Sequence, residues 1–250
     1  MHLFGIRTGL IKPKDDLVSI VLAALNKQKL KIEDGDVMAF ASKAISTAQN
    51  RLIRLDTINP SKEAEKLANK YRLDPTFVEV VMGEAEKIYG GVSGALLTLK
   101  NGVLIPNAGV DHKNAPRRYV VLWPENPHRS AEKIRAEIFE RTGRNVGVLI
   151  VDSRVTPLRM GTTGLAIGIA GFNPIKDWRM GKDLYGNKLL ITRHALADDL
   201  ASAAHLVMGE TDELVPAVLV KGVPFSLTEK NDPDLMLISE RNCLFVNCFS

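Results

Sequence analysis

The sequence predicts a mixed α/β protein, and three observations carry that expectation. Residues 146–151, VGVLIV, form a short and nearly continuous apolar run of the kind that makes a strand buried on both faces. A second buried strand is expected over residues 37–41, so strands alternate with segments that carry helix-start signals. SGALLTLKNGVLIPNAG reads as a hairpin, two apolar runs joined by Asn101-Gly102, the pair that favours a tight primed turn. The chain has 250 residues with 45% hydrophobic and 25% charged content, enough to bury a substantial core in one large domain or two interlocked ones.

The same composition narrows the function classes. No apolar run approaches the ~20 residues that a membrane-spanning helix needs. MHLFGIRTGLIKPKDD lacks the basic segment, apolar core and small-residue cleavage site of a secretory signal, so a cytoplasmic protein is expected. Cys243 and Cys248 sit so close that they could bond only with local strain or across a dimer, and two reduced thiols are expected. Net charge is +4 with a pI near 9.0. The basic residues are interspersed with acids, as in SKEAEKLANK and SAEKIRAEIFERTGR, which are ordinary solvated helix faces. With no basic block, aromatic platform or zinc-finger spacing, nucleic acid is not an expected partner. A mildly basic cleft for a phosphorylated small molecule fits better.

In order, a turn at Thr8 and Gly9 leads to a helix start at Asp15 or Asp16, with the helix over residues 17–26. The turn at residues 33–36 precedes the strand at 37–41, which ends in SKAIST, residues 42–47. That segment reads either as a polar loop or as a phosphate or base contact. Asn59-Pro60-Ser61 starts a helix to about Tyr71, and Asp74-Pro75 starts another to about Tyr89. Ser130 is expected to cap a helix over residues 131–141, which Gly143 ends. Residues 183–191 read as turn then strand, 195–207 as a helix, 215–221 as a buried strand, and the last thirty residues as a strand-containing tail.

Three segments carry chemistry. Asp152 and Ser153 are expected at the carboxyl end of the strand at 146–151, where a carboxylate beside a hydroxyl suits a hard cation or simply caps a turn. NAGVDHKN, residues 107–114, combines small residues that allow close backbone approach with Asp111 and Asn114 as oxygen ligands or donors. His112 has no second histidine or cysteine at ligand spacing, which argues against zinc. MGETDEL crowds Glu210, Asp212 and Glu213 into four residues, as a solvated turn or a cation site. Arg117, Arg118 and Arg129 could neutralise an anionic substrate or lie on the surface. Glycines 161, 164, 168 and 171 permit tight backbone packing or phosphate approach, but no G-x-G-x-x-G or P-loop is present.

Taken together, NAGVD, VGVLIVDS, RMGTTGLAIGIAGFNPIKDW, KDLYG and HLVMGETDELVPAVLVKG resemble the coenzyme F420-0:L-glutamate ligase family, also called F420 gamma-glutamyl ligase. The similarity runs in one order from GLIKPKDDL to VPAVLVKG. It implies an intertwined homodimer of a mixed α/β fold that adds L-glutamate to the lactate carboxyl of a deazaflavin precursor with GTP hydrolysis, two divalent ions (magnesium or manganese) and help from potassium. It further implies that Asp111 and Asp152 hold one ion, and that Ser153 and Glu210 hold the second. GTP would be surrounded by Thr8, Gly9, Leu10, Ile11, Ser42, Lys43 and Asn114, and by Met208, Gly209, Glu210, Thr211, Asp212, Glu213, Leu214 and Val215. The reaction would pass through an acyl phosphate, because a carboxylate is a poor electrophile, with metals neutralising charge during phosphoryl transfer. The chain departs from the family pattern at residues 154–159, RVTPLR, where relatives carry a glycine-arginine step, and at Thr47, where they carry lysine. Those departures leave two other classes open: a ligase or nucleotide hydrolase for another carboxylate, and a protein that binds metal or nucleotide without turnover.

Overall fold

The computed structural model describes residues 1–247. The chain opens with β1 (His2–Ile6) and reaches α1 (Leu17–Lys27), where Asp16 accepts from the Ser19 amide at 3.0 Å and so satisfies an orphan donor. β2 (Val37–Ala41) runs straight into α2 (Ser42–Ala48), so SKAIST is a helix, and the polar loop, one of its two readings, is not formed. Burial of Ala44 and Ile45 against the core supplies what local propensity does not. After β3 (Leu52–Arg54) come α3 (Lys62–Tyr71), capped by Ser61, and α4 (Pro75–Glu84), capped by Asp74 with proline at its first position. α4 stops at Glu84, short of Tyr89. Residues from Lys87 are instead drawn into β4 (Lys87–Val92), which pairs with the hairpin of β5 (Ala95–Lys100) and β6 (Val103–Pro106). Asn101 and Gly102 both have positive φ, 49° and 72°, as a primed turn demands.

β7 (Tyr119–Val121) pairs with β3. α5 (Pro127–Thr142) starts a turn earlier than expected, because Asn126 and not Ser130 is the cap, accepting from the Arg129 amide at 3.0 Å. Gly143 ends it in the left-handed region, as read from the sequence. β8 (Gly147–Val155), β9 (Thr162–Ala170), β10 (Ile175–Asp177) and β11 (Arg193–Ala195) lead to α6 (Leu196–Met208) and β12 (Ala217–Lys221). Residues 183–191 contain the expected turn around Asp183, but the strand falls later, at β11. The tail holds two 3-10 turns and the short α7 (Leu244–Asn247), with no strand after Lys221 among the described residues. Cys243 has a free thiol among these residues, and Cys248 lies outside them.

The central sheet has the order β1-β12-β2-β8-β9, with β2 and β8 parallel from Val37↔Gly147 to Ala41↔Val151 and the other neighbours antiparallel. Met38, Phe40, Val148 and Ile150 face a core shared with α1 and α5, whereas Val37, Ala39, Leu149 and Val151 face α6. That double burial is why both strands read as continuous apolar runs. A third core lies under α3, α4 and the hairpin. β9 lets helices in closely: a Cβ on Gly164 would stand 2.2 Å from the Ala201 carbonyl oxygen, and one on Gly168 2.5 Å from that of Pro127. Of the two readings of these glycines, backbone packing is the one realised at both.

Candidate functional site

The parallel pairing of β2 and β8 ends at Ala41↔Val151, where β2 gives way to α2. Ser42 and Asp152 therefore sit side by side where the strands part. β8 does not end there as expected: it continues through Asp152↔Leu165 and Ser153↔Gly164 to Val155, because β9 keeps offering it a partner. Asp152 is half-buried, and its carboxylate accepts from the Trp123 indole N–H and the Ser42 hydroxyl. Burial pushes its pKa up, and the nearby Lys43 ammonium opposes that push without cancelling it. Ser153 is half-buried beside it.

Trp123 is set in place by the segment before Asp111. Asn107, Ala108 and Gly109 take successive positive φ values of 53°, 52° and 71°. A Cβ on Gly109 would lie 2.2 Å from the Trp123 Nε1, so the close approach expected of these small residues is made to the indole. Asp111 and Val121 then exchange backbone hydrogen bonds of 3.1 and 2.9 Å, which fixes Asp111 two residues from Trp123 across the bridge. The Asp111 Oδ2 lies 2.6 Å from Lys43 Nζ, and its Oδ1 accepts from the Lys113 amide at 2.9 Å. Burial raises the Asp111 pKa, but Lys43 and that amide outweigh it and the carboxyl stays below its ordinary value.

Glu210 stands on the loop after α6. Its Oε1 accepts from the Thr162 hydroxyl at 2.6 Å and lies 2.8 Å from His205 Nε2, while Oε2 lies 3.3 Å from Lys113 Nζ. Burial works against the charge, yet these partners hold the pKa at about 2. Lys113 thus ties the Asp111 loop to the Glu210 loop, and Asn114 Nδ2 donates to the Thr211 carbonyl at 2.9 Å. The Thr8 amide donates to Leu214 at 3.0 Å, which brings the segment of Thr8, Gly9, Leu10 and Ile11 alongside. Residues expected around a nucleotide from three distant segments do converge.

The other expected residues divide. Glu213 folds back on its own loop, accepting from the Thr211 amide at 2.8 Å, and Asp212 is exposed. Met208, the last residue of α6, is buried in the core between that helix and the sheet, and Val215 packs beside that core. His112 stacks on Phe77 with centroids 4.5 Å apart, as a structural residue would. Arg118 pairs with Asp56, and Arg117 and Arg129 are exposed. Four residues escaped sequence reasoning: Trp123, Thr162, Lys113 and His205. His205 had a signal, being five positions before Glu210 across a helix end, and Lys113 is two positions from Asp111. Trp123 had none, since its role depends on the fold.

The donor set is oxygen only, two carboxylates with a serine hydroxyl next to one, which fits a hard divalent ion and not a soft one. A half-buried carboxyl pushed up by its surroundings is the kind of group a cation would relieve. Lys43 supplies positive charge there, and no group of three or more histidine, cysteine or acidic residues is gathered for a metal among the described residues.

Comparison with known proteins bears on the whole arrangement. The profile of the family described as F420-0:Gamma-glutamyl ligase matches residues 5–222. The chain is 42% identical over 224 residues to the coenzyme F420:L-glutamate ligase of Methanopyrus kandleri, covering 89% of this chain and 87% of that one. It is 45% identical over 197 residues to the protein of that name from Methanocaldococcus jannaschii, covering 78% and 79%. With the Methanococcus maripaludis C7 protein, also a coenzyme F420:L-glutamate ligase, identity is 34% over 243 residues, 97% and 96% of the two chains. The matched span contains Asp111, Asp152 and Glu210 together with every loop that joins them, and the chain belongs to the F420-0:gamma-glutamyl ligase family.

Proposed function

We propose that the protein is a GTP-dependent ligase that adds L-glutamate to the carboxyl of coenzyme F420-0 through an acyl phosphate. The observation that carries this reading is that Lys43, at the edge where β2 and β8 part, pairs with Asp111 and acts on Asp152, while Lys113 and Asn114 tie the Asp111 loop to the Glu210 loop. Phosphoryl transfer needs such a constellation, because most of its barrier is positioning and charge.

In this reading the γ-phosphoryl group moves from GTP to the acceptor carboxylate, leaving GDP. The amine of glutamate then attacks the acyl carbon, inorganic phosphate leaves with the electron pair of the carbon–oxygen bond, and the nitrogen loses a proton. Two divalent ions, magnesium or manganese, held by Asp111 with Asp152 and by Ser153 with Glu210, would neutralise phosphate charge, with potassium as a further aid. Lys43 brings a fixed positive charge to the same place, and Trp123 with Ser42 orients the Asp152 carboxylate. Thr162 and His205 do the same for Glu210.

The active unit in this proposal is a homodimer. Between β8 and α6 the chain exposes Leu158, Met160, Leu184 and Tyr185 almost completely, with Ile191 close behind. Large apolar side chains in that density mark a surface that another chain covers. No helix among the described residues is long and apolar enough to cross a membrane, and the proposed site of action is the cytoplasm.

The test is phosphate release from GTP with manganese or magnesium, with and without the F420 precursor and L-glutamate, followed by mass spectrometry of the product. Release that requires both substrates, with a mass gain of one glutamyl unit, is the expected result. GTP binding without precursor-dependent release would overturn the reading.

A further inference from the structure

Along β5 the buried positions alternate as Leu96, Thr98 and Lys100, so a lysine stands where the pattern calls for a third residue suited to a core. Lys100 is 7% exposed, and taking an ammonium out of water is costly unless it is paired. Its partners are the Glu84 carboxylate at the end of α4 and the face of the Trp123 indole, whose centroid lies 5.8 Å from Nζ. Glu84 lies 3.5 Å from the guanidinium of Arg51, and Arg51 Nε donates to the Trp123 carbonyl at 3.2 Å. Trp123 is thus gripped at its ring and at its backbone by two cations that share one carboxylate.

The surrounding backbone is tied to the same place. The Arg51 amide donates to the Ser46 carbonyl at 2.8 Å, and the Arg51 carbonyl accepts from the Leu122 amide at 3.0 Å. Arg51 therefore joins the end of α2 to the residue before Trp123, and α2 begins with Ser42 and Lys43, which also act on Asp152. Thr98, on the same face of β5 as Lys100, accepts from the Ala108 amide at 2.7 Å and so holds the segment that presses Gly109 against the N–H edge of the indole.

A buried ion pair adds little stability over apolar residues of the same volume, because desolvation offsets its attraction. What this one provides is direction. With ring, carbonyl and N–H edge all held, the indole N–H is aimed at the Asp152 carboxylate. A cation over the ring also draws electron density from it and makes the N–H a better donor.

We propose that Lys100, with Glu84 and Arg51, is a positioning group for divalent-metal binding that acts through Trp123 on the Asp152 carboxylate. The inference rests on the reading of Asp152 as a metal ligand. Groups at one remove from a metal orient its ligands and set their affinity, and these three meet that description from α4, β5 and the segment after α2.

The test uses the full-length protein and manganese alone, titrated by calorimetry with no nucleotide or substrate. Lys100→Met removes the cation and leaves Glu84 with Arg51, and Arg51→Gln alters a side chain 30% exposed. Each is expected to raise the Kd for manganese roughly tenfold or more. In a Trp123→Phe background the added effect of Lys100→Met is expected to shrink to about twofold or less, because the group through which it acts is gone. With Trp178→Phe, which leaves Trp123 as the sole indole of the chain, the fluorescence anisotropy of the metal-free protein should decay faster in Lys100→Met than with Lys100 intact. Where Lys100→Met does not fold, Arg51→Gln decides alone. Unchanged manganese affinity in the variants, while Asp152→Asn still weakens it, overturns the positioning role and leaves the metal site standing. A full loss on Lys100→Met in the Trp123→Phe background overturns the route through the indole. A manganese affinity that Asp152→Asn does not change removes the ligand, and this inference falls with it.

Discussion

Lys43 places its ammonium 2.6 Å from the Asp111 carboxylate and pulls on the carboxyl of Asp152 as well. One fixed cation therefore serves two acids that reach the site from different parts of the chain. Asp111 is held below its ordinary pKa by this contact, whereas Asp152, in the drier position, stays above it. That asymmetry shapes what each substitution should do.

Lys43→Met removes the charge shared by the two carboxylates and leaves Asp111 with Lys113 and Asp152 with the Trp123 and Ser42 hydrogen bonds. The metal-free protein is expected to lose about 1–3 kcal/mol of stability. Asp152→Asn works in reverse. A carboxyl whose folded pKa lies above its unfolded value of 3.8 costs stability as pH rises past that value, so the asparagine variant should gain on the wild type from about pH 4 upward. Thermal unfolding with and without manganese checks both: the metal should protect Lys43→Met more than wild type and Asp152→Asn hardly at all. Equal protection of Asp152→Asn and wild type would remove Asp152 from the ligand set.

Glu210 behaves as a depressed acid. Its pKa falls from 4.5 to about 2, so the stability it contributes is present above pH 4.5 and is lost as pH falls through about 2. With the side chain 30% exposed, solvent screening reduces the contribution to roughly 1–2 kcal/mol. Denaturant unfolding of wild type and Glu210→Gln should differ by that amount at pH 7 and converge at pH 2. A difference that does not change with pH would mean that ionisation of the Glu210 carboxyl contributes nothing to folding.

Gly164→Ala tests the close contact between β9 and α6. The added methyl would meet the Ala201 carbonyl at 2.2 Å, a rigid backbone atom, and the expected cost is about 2–3 kcal/mol. Because Ser153 lies opposite Gly164, the variant should also weaken GTP binding, measured by calorimetry. Wild-type stability would show that α6 shifts freely, which the packing of Ala197, Ala201 and Ala204 on the sheet opposes.

Much of this was legible along the chain, wherever the cause lies within a few residues. Asp16, Ser61 and Asp74 cap their helices from one to three positions away, and Asn101-Gly102 turns a hairpin between neighbouring strands. Where expectation failed, a distant partner had intervened. Residues 85–89 looked helical until the hairpin drew Lys87 and Ile88 into a ladder, and SKAIST allowed a polar loop until the core took up Ala44 and Ile45. β8 outlasted its apolar run because β9 continued to pair with it.

The candidate site divides in the same way. The sequence by itself singled out candidate acids, Asp111, Asp152 and the group of Glu210, Asp212 and Glu213, from their places beside apolar runs or small residues. It also pointed to burial of β2 and β8 on both faces, since an unbroken apolar run is a local property of the chain. Only the tertiary structure decided which partners those acids meet: Trp123 on Asp152 from 29 positions away, Thr162 on Glu210 from 48, and Lys43 beside both Asp111 and Asp152. A charge shows in the sequence, but the field and the hydrogen bonds that tune it come from side chains brought near only when the sheet assembles.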